Sequence, residues 1–158
     1  MSVPATTARQ TPSGWKMPDG YQSLIAFSTA PSIKLWEKSV KPPGLDGGEG
    51  IDTSTMFNLV YRTKSARHLV SLDNSTMVCA YDPDVYADIL NQVNREQAIT
   101  VIFPDHSTLS FFGFLQKAEP GELKEGTFPE ITITIVVTNW DPVAFVEQGP
   151  VFTAAAGT

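Results

Sequence analysis

The longest alternating stretch of the chain, residues 127–140 with the sequence TFPEITITIVVTNW, most limits what this chain can fold into. One face of the implied strand is apolar: Ile131, Ile133, Ile135 and Val137. The other face carries hydroxyl side chains: Thr132, Thr134 and Thr138. Because side chains alternate between the two faces of a strand, the pattern predicts a β-strand with one buried face. Such a strand needs a sheet around it, so the chain is predicted to be mainly β.

Shorter segments of similar character predict the other strands. These are SIKLWEKSV, TMFNLVYR, HLVSL, TMVCAY, AITVIF and STLSFFGFLQ. Asp73-Asn74 and Pro104-Asp105-His106 separate neighbouring segments and predict turns. The FFGFL part of the last segment is apolar on both faces, so both faces must be covered, by a helix or by a neighbouring subunit.

One helix is predicted, over about residues 83–96. Asp82 has the position of an N-cap, and Pro83 suits the first helical residue. An apolar stripe follows at helical spacing: Val85, Tyr86, Ile89, Leu90 and Val93. Together, the segments predict one domain, a β-sandwich or barrel with a single packed helix.

Charge and cysteine content exclude several classes of function. Acidic residues outnumber basic residues 17 to 11, and the net charge of −6 argues against a surface that coats DNA or RNA. The single cysteine, Cys79, rules out an internal disulfide, and its apolar surroundings predict a buried thiol. No segment has the length and apolarity of a signal peptide or a membrane span, so we expect a soluble protein made in the cytoplasm.

Residues 42–56, PPGLDGGEGIDTSTM, form a long glycine-rich acidic loop that invites a ligand-binding interpretation. A calcium-binding EF-hand starting at Asp46 would need an acid or amide where Gly48 stands and a glutamate where Phe57 stands. A phosphate-binding loop would need a lysine followed by a hydroxyl residue, and none follows the glycines. The loop is therefore predicted to be mobile and acidic, with another carboxylate cation site as the alternative.

The sequence offers no catalytic residue set and no cofactor site. Asp105, His106 and Ser107 are adjacent on a predicted turn and cannot adopt the geometry of a catalytic triad. His68 and His106 lack the spacing of metal ligands. We predict no enzymatic activity, no metal and no cofactor.

Two charged stretches of opposite sign lie close together in the sequence. The acidic stretch contains Asp46, Glu49 and Asp52. The basic stretch contains Arg62, Lys64 and Arg67. Opposite charges on neighbouring projections suit stacked, self-complementary subunits, and an ordinary mixed-charge surface is the alternative.

Both ends of the chain are predicted to be extended arms, leaving a folded domain over residues 21–146. Residues 1–20 and 147–158 are rich in small and polar residues. Each holds two large apolar side chains that could anchor it on a neighbouring molecule: Trp15 and Met17, and Val151 and Phe152.

The segment IKLWEKSVKPPGLDGGEGIDTSTM resembles the signature region of the major tail tube proteins of long-tailed bacteriophages with non-contractile tails. In that family a strand of alternating charge leads into a Pro-Gly-x-Asp-Gly-Gly loop and then an Ile-Asp-Thr-Thr-like segment. The later order is also similar: strand, turn, strand and helix in LVSLDNSTMVCAYDPDVYADILNQVN, then a hairpin, then a Thr/Ile strand running into NWDP. The resemblance covers about residues 21–146 and rests on the ordered combination.

The resemblance implies a helix-flanked β-sandwich that assembles into hexameric rings. The rings would stack around a tape measure protein into the hollow tube of a virion tail, with terminator and tip proteins as further partners. DNA would pass through the lumen into the host without specific binding. Five residues would belong to a loop that contacts the next ring: Asp46, Gly47, Gly48, Glu49 and Asp52.

Two further assignments follow from charge and polarity within this picture. Complementarity makes Arg62, Lys64 and Arg67 the candidates for the opposing charges. The hydroxyl row of Thr132, Thr134 and Thr138 could face the lumen, where uncharged side chains would not hold DNA.

Related tubes serve contractile tails and the type VI secretion system, and the fold alone does not separate these from a non-contractile tail. The arms and the glycine-rich loop favour the non-contractile tail, where no sheath braces the rings. Some family members carry an additional immunoglobulin-like domain, which we do not expect in this chain. The alternative from another class is a tail-tip or adhesin-like binding module, but Trp15, Trp36 and Trp140 do not form one obvious platform.

Overall fold

A computed structural model describes residues 23–154 of the chain. The fold is mainly β, a curled half-barrel sheet with one helix, which confirms the predicted fold class. The strands are β1 (Leu24–Phe27), β2 (Glu37–Lys41), β3 (Leu45–Asp46), β4 (Ile51–Asp52), β5 (Lys64–Ser65), β6 (Ser71–Leu72), β7 (Ser75–Ala80), β8 (Gln97–Ile102), β9 (Thr108–Pro120), β10 (Glu130–Val137), β11 (Trp140–Asp141), β12 (Val146–Glu147) and β13 (Val151–Thr153). The helix α1 spans Pro83–Asn91.

Seven antiparallel strands form the main sheet, in the order β1-β8-β9-β10-β7-β2, with β13 also on β9. The 13 residues of β9 are long enough to serve three partners. One edge of β9 pairs with β8, and the other pairs first with β13 and then with β10. Among residues 23–154, β1 pairs only with β8 and β2 only with β7, so this part of the chain leaves the half-barrel open along the seam between β1 and β2.

The core lies on one face of this sheet, beneath the helix. Strand β10 supplies Ile131, Ile133 and Ile135, all at most 1% exposed. Neighbouring strands add Ile25, Phe27, Met77, Cys79, Ile99, Val101, Phe111 and Leu115. Burying each large aliphatic side chain contributes roughly 1.5–3 kcal/mol, so the alternating isoleucines account for a large part of the stability. Ile89 is the buried contact of the helix.

Gly113, in the middle of β9, is required by the close approach of β10. A Cβ atom there would lie 2.4 Å from the carbonyl oxygen of Val136. Further along the same strand pair, Thr134 faces Lys117 and Ile135 faces Leu115, which leaves Gln116 as an extra residue in a β-bulge. The FFGFL segment therefore buries Phe111 and Leu115 in the core and leaves Phe112 and Phe114 half-buried on the opposite face.

Several predicted elements differ from the structure. Of SIKLWEKSV only residues 37–40 lie in a strand, which continues to Lys41, and of HLVSL only Ser71–Leu72 form a strand. Strand β9 extends beyond STLSFFGFLQ to Pro120. The TMFNLVYR prediction was wrong, because its first residues form a turn in which the backbone N–H of Asn58 donates to the carbonyl of Thr55. The helix keeps its predicted start, with the Asp82 side chain accepting from the N–H of Asp84, but ends at Asn91 instead of about residue 96. Beyond it, the N–H of Asn94 donates to the carbonyl of Leu115, which draws the chain into the sheet.

Candidate functional site

Residues 44–73 leave the sheet between β2 and β7 as a long antiparallel projection, which we call the ribbon. At its base, the N–H of Asp73 donates to the carbonyl of Gly44, and β3 pairs with β6. Further out β4 pairs with β5, and the N–H of Thr53 donates to the carbonyl of Thr63. With its 30 residues divided between two sides, and at roughly 3.3 Å per extended residue, such a ribbon can reach at most about 50 Å from the sheet.

The acidic and basic stretches of the sequence are the two strands of this one ribbon. A carboxylate oxygen of Asp52 lies 3.7 Å from the Arg62 guanidinium, and Asp52 faces Lys64 in the strand register. The Nε of Arg67 donates to the carbonyl oxygen of Glu49 at 2.7 Å. The predicted opposite charges are therefore brought together within one chain. Their pairing between subunits stays a prediction.

Local hydrogen bonds shape the acidic strand of the ribbon. A carboxylate oxygen of Asp46 accepts from the N–H of Gly48 at 2.8 Å, and Gly48 adopts a left-handed φ of 78° that favours glycine. The Asp52 carboxylate accepts from the N–H of Ser54. This hydrogen bond and the one from the Ser54 hydroxyl both lower the pKa of the Asp52 carboxyl. The carboxylates of Asp46 and Asp52 thus accept hydrogen bonds from backbone N–H groups in local turns. Contact of this segment, including Gly47, with another subunit stays a prediction.

The most conspicuous surface is the ribbon tip, residues 56–61. Its five large apolar side chains are between 79% and 100% exposed: Met56, Phe57, Leu59, Val60 and Tyr61. This exposed tip was not predicted, because the pattern of TMFNLVYR favours a strand. The available signal was that MF and LVY lack the alternation of a strand with one buried face.

The polar groups of the ribbon tip and its flanks bond to one another. A side-chain oxygen of Asn58 accepts from the N–H of Thr55 at 2.7 Å, and its amide donates to the carbonyl of Tyr61 at 2.9 Å. The hydroxyl of Ser54 accepts from the N–H of Thr63 at 2.8 Å. The loop is thereby held in one shape that presents apolar side chains outward.

The sheet face opposite the core is half-buried and largely uncharged in its centre. Thr132 and Thr134 lie on this face, and the hydroxyl groups of Thr100 and Ser110 on neighbouring strands bond to each other at 3.0 Å. Toward the strand ends Lys117 pairs with Glu119 at 3.1 Å and Lys38 with Glu130 at 2.7 Å, and Lys41 lies opposite Thr76.

Thr138 departs from the predicted hydroxyl row. It follows the last residue of β10, and its hydroxyl oxygen is buried without a hydrogen-bond partner among the described residues. The row on the open face therefore consists of Thr132 and Thr134. Whether these two face a lumen stays a prediction.

The C-terminal segment adds a further exposed apolar region. Strand β13 pairs with the start of β9 in its own chain, where Val151 and Phe152 are exposed and the Phe152 ring lies 6.4 Å from that of Phe103. The preceding β11–β12 hairpin exposes Val143 and Phe145. The role of residues 147–158 as a connecting arm stays a prediction. Trp15, Met17 and the rest of residues 1–20 lie outside the described residues.

A groove of about 810 Å³ follows the open seam between β1 and β2. We call it the seam groove. Its apolar lining comprises Leu24, Leu35, Trp36, Val40, Ile102 and Phe103. One side-chain oxygen of Glu37 bridges the seam by accepting from the N–H of Ile25 at 3.2 Å. Burial raises the pKa of Glu37, and burial together with the Glu37 charge raises the pKa of the Cys79 thiol to about 12.

No group of three or more histidine, cysteine or acidic side chains is arranged for a metal ion within residues 23–154. In the same range, no helix has the length and apolarity needed to cross a membrane. His68 is exposed on the ribbon, and His106 lies in the β8–β9 turn with a φ of 68°.

Solved structures with the same fold include chains of two large particles. A chain from the virion of a native gene transfer agent particle has a TM-score of 0.63 and 12% identity, with 87% of this chain and 100% of that chain covered. A chain from the 6-fold symmetrised baseplate of the anti-feeding prophage has a TM-score of 0.56 and 11% identity, with 89% of this chain and 98% of that chain covered. At these identities the likeness shows the fold alone. No protein-family model and no curated protein matches the sequence.

Proposed function

We propose that this chain is a structural subunit of a phage-type tail that self-assembles into hexameric rings, which stack into a hollow tube. The observation that carries this proposal is the ribbon tip: five large apolar side chains held outward on a projection from a compact sheet. Exposed apolar patches of this kind mark surfaces that other macromolecules cover. The fold is also similar, over almost its whole length, to chains of a virion and of a symmetric baseplate.

The open sheet face supports a role as the wall of a conduit. Its centre carries hydroxyl side chains and the half-buried Phe112 and Phe114, and Lys38 and Lys117 toward the strand ends are neutralised by carboxylates, with Lys41 as a further cation opposite Thr76. Such a face offers DNA phosphates little to bind, and the net charge of −6 adds repulsion. DNA would pass along the tube without specific contacts on its way into the host.

The proposed partners are other copies of the chain, a tape measure protein inside the tube, and terminator and tip proteins at its ends. The proposed location is the tail of a virion. In this role the subunit acts by assembly, without a catalytic step or a cofactor.

A position in a contractile tail is the second candidate, because one of the similar chains belongs to a baseplate. There the same ring would form an inner tube, as in the type VI secretion system. A sheath-binding outer surface would distinguish the two. Association only with copies of itself favours the non-contractile tail.

Analytical ultracentrifugation over a concentration series tests the proposal. The monomer has a mass of 17.2 kDa, and we expect it to give way to hexamers and then to much larger species as concentration rises. A single monomeric species that binds a glycan or a receptor protein instead would support the tail-tip or adhesin-like alternative.

A further inference from the structure

We propose that the ribbon tip of one copy docks in the seam groove of a second copy, so that each chain carries both halves of a head-to-tail contact. This deepens the proposed function and rests on it, because it names the surface that receives the ribbon. The two surfaces lie on different parts of the chain, the ribbon tip at residues 56–61 and the seam groove between β1 and β2.

The ribbon tip is organised in advance for such a contact. Because Asn58 and Ser54 use their polar atoms on the backbone of the same loop, little ordering remains to be done on binding. The outward side chains then present an apolar knob. In the described chain this knob contacts nothing that covers it, since its apolar residues are at least 79% exposed.

The seam groove has the matching properties. It is lined by apolar side chains, and its volume of about 810 Å³ lies within the range of protein cavities that hold sizeable ligands. Its two walls are β1 and β2, whose outer edges have no strand partner among residues 23–154. Unpaired strand edges attract further chain, and because the N–H of Ile25 on this edge already donates to Glu37, the apolar lining would supply most of the contact.

Electrostatics favours this pairing of surfaces. Residues 56–61 carry no charged side chain. The charged groups of the groove already have partners: Glu37 accepts from the N–H of Ile25, and Lys38 bonds to Glu130 at 2.7 Å. Because the ribbon tip contributes no charge, the contact needs no ion pair between copies, and we expect it to persist at high salt.

The available area is sufficient for a stable contact. If each of the five exposed side chains offers roughly 150 Å², the ribbon tip can bury on the order of 700 Å². This approaches the ~800 Å² per partner of a standard protein interface. Because knob and groove are different surfaces, the contact is heterologous and repeats from copy to copy, as a growing tube requires.

Cysteine cross-linking of the full chain tests the proposal. Leu59→Cys places a thiol on the ribbon tip, and Ser39→Cys places one on the groove wall, where both positions are exposed. The native Cys79 is buried with a pKa of about 12, so it does not compete. Under oxidising conditions, a mixture of the two single variants is expected to give a covalent dimer. One chain carrying both changes is expected to give a ladder of covalent multimers.

The controls separate this contact from others. Leu123→Cys puts a thiol on an exposed loop between β9 and β10, and mixed with Leu59→Cys it is expected to stay monomeric on a denaturing gel. Dimers of Leu59→Cys alone would replace the proposal with a symmetric tip-to-tip contact. Mass-spectrometric cross-links from the groove to residues 1–22 would assign the groove to that segment and overturn the proposal.

Electron microscopy of the same samples distinguishes the two proposals. Tubes without tip-to-groove cross-links would overturn the docking site and leave the tube function standing. Absence of both tubes and cross-links would overturn both.

Discussion

Asp52 and Lys64 lie directly opposite each other across the two strands of the ribbon. With the neighbouring Arg62 close to the same carboxylate, the acidic and basic stretches of the sequence become the two sides of one hairpin. Opposite charges at facing positions of an antiparallel pair favour the pairing of its strands. The charges thus have a role within the chain that needs no second subunit.

Exchanging the charges of Asp52 and Lys64 tests whether they pair within one chain or between subunits. Asp52→Lys alone sets like charges opposite each other and is expected to impair assembly by loosening the ribbon. Adding Lys64→Asp to the same chain is expected to restore assembly, measured by light scattering. A mixture of Asp52→Lys chains with Lys64→Asp chains is expected to assemble poorly. Full rescue in that mixture would show that the charges pair between subunits instead.

Polar substitution of the ribbon tip is expected to separate folding from assembly. Phe57→Ser with Leu59→Ser changes side chains that are more than 90% exposed, so the free energy of unfolding should shift by less than about 0.5 kcal/mol. Assembly should be lost, because the apolar knob is removed. Leu123→Ser, at another exposed position, is the matched control and should assemble normally. Equal assembly by both variants would contradict the role given to the tip.

Gly113→Ala is expected to destabilise the sheet. The added Cβ would lie 2.4 Å from the carbonyl oxygen of Val136, so β9 and β10 would have to separate. Forced overpacking typically costs about 1–3 kcal/mol, which chemical denaturation can measure. Gly47→Ala is the control, since a Cβ there meets nothing within 4 Å. Equal stability of the two variants would show that the strands accommodate the methyl group.

Glu37 is expected to make the stability of the seam depend on pH. Burial raises its pKa in the folded state, so the folded chain binds this proton more tightly than the unfolded chain does. The contribution of Glu37 to the free energy of unfolding is therefore fully present below its ordinary pKa of 4.5. It is lost as pH rises through the raised pKa of the folded state. Glu37→Gln keeps the oxygen that accepts from Ile25 and removes the titration.

Thermal melts of both proteins from pH 4 to pH 8 measure this effect. The Tm of the native protein minus that of Glu37→Gln should fall as pH rises. Other carboxyl groups titrate in both proteins and cancel in the difference. A constant difference across the range would mean that Glu37 titrates alike in both states.

The sequence predicted the fold well where one local rule decides the outcome. The isoleucine alternation in β10 predicted a buried face, and Asp82 with Pro83 predicted the start of the helix. The end of the helix was harder to predict, because it depends on a contact between residues distant in sequence. The N–H of Asn94 donates to the carbonyl of Leu115 on β9. The burial of the Thr138 hydroxyl likewise follows from the end of β10, which alternation alone does not locate.

The candidate site was predicted only in part. The glycine-rich acidic loop was identified as an exposed projection, but its partner strand was expected to face another subunit. Pairing of Asp52 with Lys64 depends on where the ribbon turns, and the hydrogen bonds of Asn58 fix that turn. The apolar tip resembled a buried strand because local sequence does not say whether a neighbouring element covers Phe57 and Leu59.

Negative-stain electron microscopy of the purified protein over a concentration series shows whether the chain builds rings and tubes. We expect six-fold rings and, at higher concentration, long hollow tubes. Monodisperse monomers at every concentration would contradict this expectation.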